Sequence, residues 1–131
     1  MRVVQGRAWW AEEVLAGTFA VHGLAHVVLG GTPIPTVVAG WLLLAVVIGL
    51  LVARRRGRRV AGATLVCGVL AGVGLFTTHL APVWSAVSQP WHGMDIHLVW
   101  WATLYVALLG AAWAVLVSAY QIRFSFTGGR R

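Results

Sequence analysis

Four runs of apolar residues, separated by short polar segments, organise this chain. They cover about residues 8–30, 34–53, 60–80 and 96–122. A helix that spans a bilayer needs about 20 such residues, and each run is long enough. Hydrocarbon offers no partner for free backbone N–H and C=O groups, so runs of this kind close their hydrogen bonds internally as helices. The pattern predicts an all-α, integral membrane four-helix bundle in a single domain. The fourth run is the longest and is expected to tilt or protrude.

The connections fit that reading. Gly30-Gly31-Thr32-Pro33-Ile34-Pro35 reads as a tight turn between the first two helices, because Gly and Pro are turn formers. Residues 53–59 form a second short turn. The one substantial loop is 81–95, with two prolines and two tryptophans, and is expected to lie along the membrane surface. The tail 124–131 ends Gly-Gly-Arg-Arg and is expected to fray.

Composition sharpens the class. The chain is 60% hydrophobic and 10% charged, whereas a soluble domain carries roughly 25% charged residues. The net charge of +7 comes entirely from arginine, since there is no lysine. Arg2 and Arg7 precede the first helix. Arg54, Arg55, Arg56, Arg58 and Arg59 lie between the second and third, and Arg123, Arg130 and Arg131 follow the fourth. The other two connections have none. Cytoplasmic loops collect Lys and Arg, so both termini and the Arg54–Arg59 turn are expected in the cytoplasm. The segments 31–36 and 81–95 then face outward, in a multi-pass protein of the cell membrane. The charge therefore sets topology, and nucleic acid is not an expected partner.

Most of the tryptophans need only an interfacial role: Trp9 and Trp10 inside, Trp41, Trp84, Trp91, Trp100 and Trp101 outside. Trp113 lies too deep for it. Cys67, the only cysteine, is expected to be a small packing residue. The first run holds two histidines and ends without a clear A-x-A cleavage site, so it is expected to be a retained helix. Gly68-x-x-x-Gly72 lets helices approach closely. His79 lies seven residues after Gly72 and therefore on the same stripe. Glu12 and Glu13 are expected to face headgroups or to pair with an arginine such as Arg7 or Arg59.

Candidate chemistry sits on the other side. His22 and His26 are one turn apart on the outer half of the first helix. His79 ends the third helix, His92 lies in the external loop and His97 opens the fourth helix, near Asp95. For His92 and His97 a solvated role is the expectation. Four readings stay open for the rest. The histidines hold helices together through hydrogen bonds. They bind a transition metal, with His22, His26, His79, His97 and Asp95 as ligands. Two of them, such as His26 with His79 or His97, ligate a b-type haem. Or they handle protons near neutral pH. No nucleophile triad, phosphate loop or external carboxylate pair is present, so an enzyme is not the leading reading.

Leu15–Gly31, LAGTFAVHGLAHVVLGG, resembles the first helix of the DoxX-like membrane proteins. His22-Gly23 matches that family's His-Gly step, and His26 stands where a basic residue often follows. The arginine turn and His79 are also similar. The chain departs from the family in lacking an acidic residue early in the second helix. The resemblance implies four helices with cytoplasmic ends, and a small accessory subunit associated with redox enzymes. The expected partners are the lipid bilayer and other membrane subunits.

Overall fold

A computed structural model describes residues 10–29, 34–80 and 98–127. They form four helices and no strand. We label them α1 (Trp10–Leu29), α2 (Ile34–Arg55), α3 (Ala61–Leu75) and α4 (Leu98–Thr127). The end of α3 continues as a wider, π-helical turn over Phe76–Leu80. The helices form a ring in which α1 packs on α2 and α4, and α3 packs on α2 and α4. Contacts between ends fix an antiparallel arrangement. The start of α1 meets the end of α2 and the start of α3 through Glu12, Arg54 and Thr64. The second half of α1 meets the end of α3 and the start of α4 through His22, His79 and Thr103.

Small residues set the tightest seams. Leu104, Ala107, Ala111, Ala114 and Ser118 are almost fully buried along α4, at the alternating three- and four-residue spacing of one helix face. A methyl group added at Gly68 would lie 3.0 Å from Val115 Cγ2 and 3.2 Å from the Ala111 carbonyl oxygen, so α3 and α4 approach backbone to backbone there. The packing role expected of Gly68 and Gly72 is what the structure shows. At Gly110 a methyl would overlap the Thr18 hydroxyl of α1, which donates instead to the Val14 carbonyl at 2.7 Å. Cys67 is buried in the same core as Leu15, Val47 and Ala71.

The α2–α3 turn is sharp for a definable reason. Arg58 N–H bonds the Ala53 carbonyl (3.1 Å), and Gly57 N–H bonds that of Arg54 (2.8 Å). This is the six-to-one and five-to-two pair of a Schellman closure, and Gly57 takes the left-handed conformation it needs, at φ 79°. The turn holds Arg54 in the last turn of α2, facing α1.

Three helical segments are long and apolar enough to cross a membrane: Pro35–Arg55, Ala61–Leu80 and Leu98–Ser125. The first helix falls outside this set, although the hydropathy pattern gave four spans. Glu12, Glu13, His22 and His26 lower its apolarity. Yet Glu12 and His22 are buried against the other helices, while Val21, Leu24, Val27 and Val28 face outward. The outward surface of α1 is therefore as apolar as that of its neighbours.

Several boundaries differ from the pattern. Helix α4 continues to Thr127, past Arg123, so residues 124–127 are helical rather than a frayed tail. A charge ends an apolar run without ending a helix, since Arg is a good helix former. Helix α2 likewise includes both Arg54 and Arg55. The expected loop 81–95, with His92 and Asp95, and the start of the fourth run, Ile96 and His97, lie outside the described residues.

Candidate metal centre

The imidazoles of His22, His26 and His79 meet at one end of the bundle. His22 and His26 are one turn apart on α1, as their spacing dictates. His79 lies within the π-helical turn, four residues after buried Leu75 on the same helix face, and is itself buried beside them. Such turns are frequent at functional sites, since the extra residue re-aims a side chain. His22 Nε2 lies 3.1 Å from His26 Nε2 and 3.4 Å from His79 Nε2. One ligand atom from each of the three falls within 4.8 Å of the others. The ring of His22 stands nearly perpendicular to the other two, at 89° and 79°, while His26 and His79 lie near parallel.

These separations have a chemical meaning. Imidazole nitrogens sit about 2.0–2.1 Å from a tetrahedral zinc ion, which places any two of them about 3.3 Å apart. The two short distances here, 3.1 and 3.4 Å, bracket that value. The two axial ligands of a haem instead stand on opposite sides of the iron, about 4 Å apart with a porphyrin between them. Two of the three pairs therefore stand at the spacing of nitrogens that share one ion, and all three ligand atoms lie within 4.8 Å of one another.

A polar contact from α4 orients the central ligand. Thr103 Oγ1 donates to the Trp100 carbonyl at 3.0 Å, which uses its only proton. Its lone pairs then face His22 Nδ1 at 3.4 Å, which calls for the proton on that nitrogen. On that tautomer His22 Nε2 is the acceptor nitrogen, directed at the other two imidazoles. A hydrogen bond to the far nitrogen is the usual way proteins set the tautomer of a metal-binding histidine. Trp100 also stands edge-on to His26, with ring centroids 5.3 Å apart.

Beside the imidazoles lies a cavity of about 200 Å³ between α1, α2 and α3. Its walls are mostly apolar, with Phe19, Trp41, Leu44 and Leu75 among them, and His22, His26, Thr36, Thr78 and His79 add polar groups. Trp41, expected to serve only as an interfacial anchor, is part of this wall, over Gly23. Trp100 likewise belongs to the site. Among the expected ligands, the structure brings together His22, His26 and His79; His97 and Asp95 lie outside the described residues. Thr103, Trp100 and Thr36 carried no sequence signal, since a lone Thr or Trp in an apolar run is unremarkable.

The opposite end holds a different polar group. Glu12 is fully buried and accepts two bonds from Arg54 Nη1, at 2.9 and 2.7 Å, and one from the Thr64 hydroxyl at 2.8 Å. Glu13 pairs with Arg55 at 3.5 Å on the surface. Among the described residues the carboxylates pair with Arg54 and Arg55 rather than Arg59, Arg7 lies outside the described residues, and Glu12 faces the bundle instead of headgroups. The helix ending at Arg55 simply brings those two guanidinium groups level with the start of α1.

No family model, curated protein or solved structure matches this chain.

Proposed function

We propose that this is a four-span membrane protein that binds one divalent transition-metal ion through Nε2 of His22, His26 and His79. The convergence of three buried or half-buried imidazoles at metal-ligand spacing carries the reading. Ionisable groups at membrane depth are costly, and where they occur they mark a function. Imidazole nitrogens suit zinc, copper, iron or nickel over magnesium or calcium. Three protein ligands leave a fourth position open, as in catalytic rather than structural zinc sites.

In the proposed orientation both ends of the chain and the α2–α3 turn face the cytoplasm. The arginines of that turn lie at the Glu12 end, and the imidazoles lie at the far, external end. All four helices cross, with the polar groups of α1 turned to its partners. The site fits the part expected from the DoxX-like resemblance, an accessory subunit associated with a redox enzyme. Copper or iron bound there would carry an electron, whereas zinc would not.

The test is metal content. Full-length protein purified in mild detergent, stripped with chelator and exposed to Zn²⁺, should retain one ion per chain after desalting. Retention of none overturns the reading. Orientation is tested separately: a reporter fused after Arg131 should read cytoplasmic, and an external reading reverses the topology.

A further inference from the structure

We propose that the cavity beside the imidazoles binds a single-chain carboxylate, a fatty-acid-like amphiphile, with its head on the metal ion and its chain in the apolar space. The inference rests on the metal-binding reading and names the ligand of that site.

Charge selects the head. Three neutral imidazoles leave a divalent ion with its full +2 charge in a low-dielectric setting, where uncompensated charge is expensive. The acids among the described residues, Glu12 and Glu13, are held by arginines at the opposite end of the bundle. An anionic oxygen ligand offsets that charge, and carboxylate is a good zinc ligand. Thr36 supplies a second anchor. Its hydroxyl is buried, has no hydrogen-bond partner among the described residues and lines the same cavity. A buried hydroxyl normally finds a partner, and a carboxylate oxygen would accept its proton.

Shape selects the chain. The cavity volume of about 200 Å³ exceeds the roughly 150 Å³ that admits a benzene ring in an apolar protein interior. Leu70 of α3 and Ala39 of α2 line the cavity and are also largely exposed, so its mouth opens sideways between these two helices. A chain too long for the cavity continues through that mouth into the surrounding hydrocarbon. Helix α2 is suited to form such a wall, since only 11% of its apolar span is buried within the protein.

The experiment uses Co²⁺ as the ion, because its visible absorption reports changes in coordination. Full-length protein in phosphatidylcholine nanodiscs is loaded with Co²⁺ and titrated with octanoate and, separately, with acetate. Octanoate should shift the cobalt bands at a concentration at least about tenfold lower than acetate, from the burial of its additional methylenes. Gly74→Leu should erase that preference. Gly74 lines the cavity, and a side chain there meets no heavy atom within 4 Å of its Cβ, so it can extend into the cavity without displacing a helix. The variant's ligand-free spectrum shows whether the ion is still held. Cobalt bands that respond equally to both acids, or an octanoate preference that survives in Gly74→Leu, overturn the carboxylate-chain site alone. Absence of cobalt bands in the unaltered protein overturns the metal reading and this inference with it.

Discussion

Replacing His22 and His26 together by alanine should reduce bound metal from one ion per chain to background while the helices remain assembled. Two of three nitrogens are removed, and the remaining His79 offers a single ligand, which is too few to hold an ion against chelating buffer. Helical content by circular dichroism and monodisperse elution should persist, because the tight seams at Gly68 and Gly110 lie away from the cluster. The stability loss should be about 1–2 kcal/mol, the worth of lost interhelical hydrogen bonds. If the histidines served only as helix-to-helix contacts, that loss would be the whole effect and metal content would not distinguish variant from parent. A double variant that still binds one ion per chain overturns the site. Thr103→Val offers a graded counterpart. It leaves all three ligands and removes only the group that orients His22, so affinity should fall by about 10–100-fold.

The second large effect is expected at the other end. Glu12→Ala should destabilise the protein by about 3–5 kcal/mol, read as a fall in the unfolding midpoint in detergent. Arg54 is only 13% exposed at its side chain, and without Glu12 it keeps a charge with no countercharge in a dry setting. Arg54→Ala should cost a similar amount, since it orphans a carboxylate with no exposure at all. The double variant Glu12→Ala with Arg54→Ala should be more stable than the sum of the single effects implies, because it removes both charges. The surface pair Glu13–Arg55, with half-exposed partners at 3.5 Å, should contribute no more than about 1 kcal/mol. Single variants at Glu12 and Arg54 that cost less than this surface pair would show that water reaches them.

Much of this architecture is legible in the order of residues. Hydropathy counts span length well, which is why four helices and the short α2–α3 turn could be read directly, while residues 30–33 of the expected first turn lie outside the described residues. Among the described residues, the arginines of the α2–α3 turn stand together at the Glu12 end of the bundle, as their clustering in the sequence suggests. The spacing of His22 and His26 fixes their shared face, and the stripe from Gly72 brings His79 inward. Rotation of each helix about its axis is another matter. The helices are apolar nearly all round, so no amphipathic stripe tells which residue faces which neighbour. Nothing in the sequence joins Glu12 to Arg54, 42 residues later, or His22 to Thr103, 81 residues later. The π-helical turn before Leu80 was equally hidden, since a change of helical pitch leaves no compositional mark. The extension of α4 past Arg123 was missed because a charge marks where hydrocarbon stops, and the backbone hydrogen bonds continue beyond it.

The inward-facing polar groups of α1 bear on how such a protein is made. Ribosomes deliver α1 before the helices it packs against, and a helix with two carboxylates and two imidazoles is a poor candidate to enter lipid alone. Arg54, Arg55, Thr64, His79 and Thr103, which neutralise or contact them from other helices, are synthesised later. The α3–α4 pair is the reverse case: apolar, closely seamed at Gly68 and self-sufficient. On the four-span reading, α1 therefore waits at the insertion machinery until the last helix emerges. On that same reading, α1 commits to the bilayer only after the later helices that satisfy its polar groups.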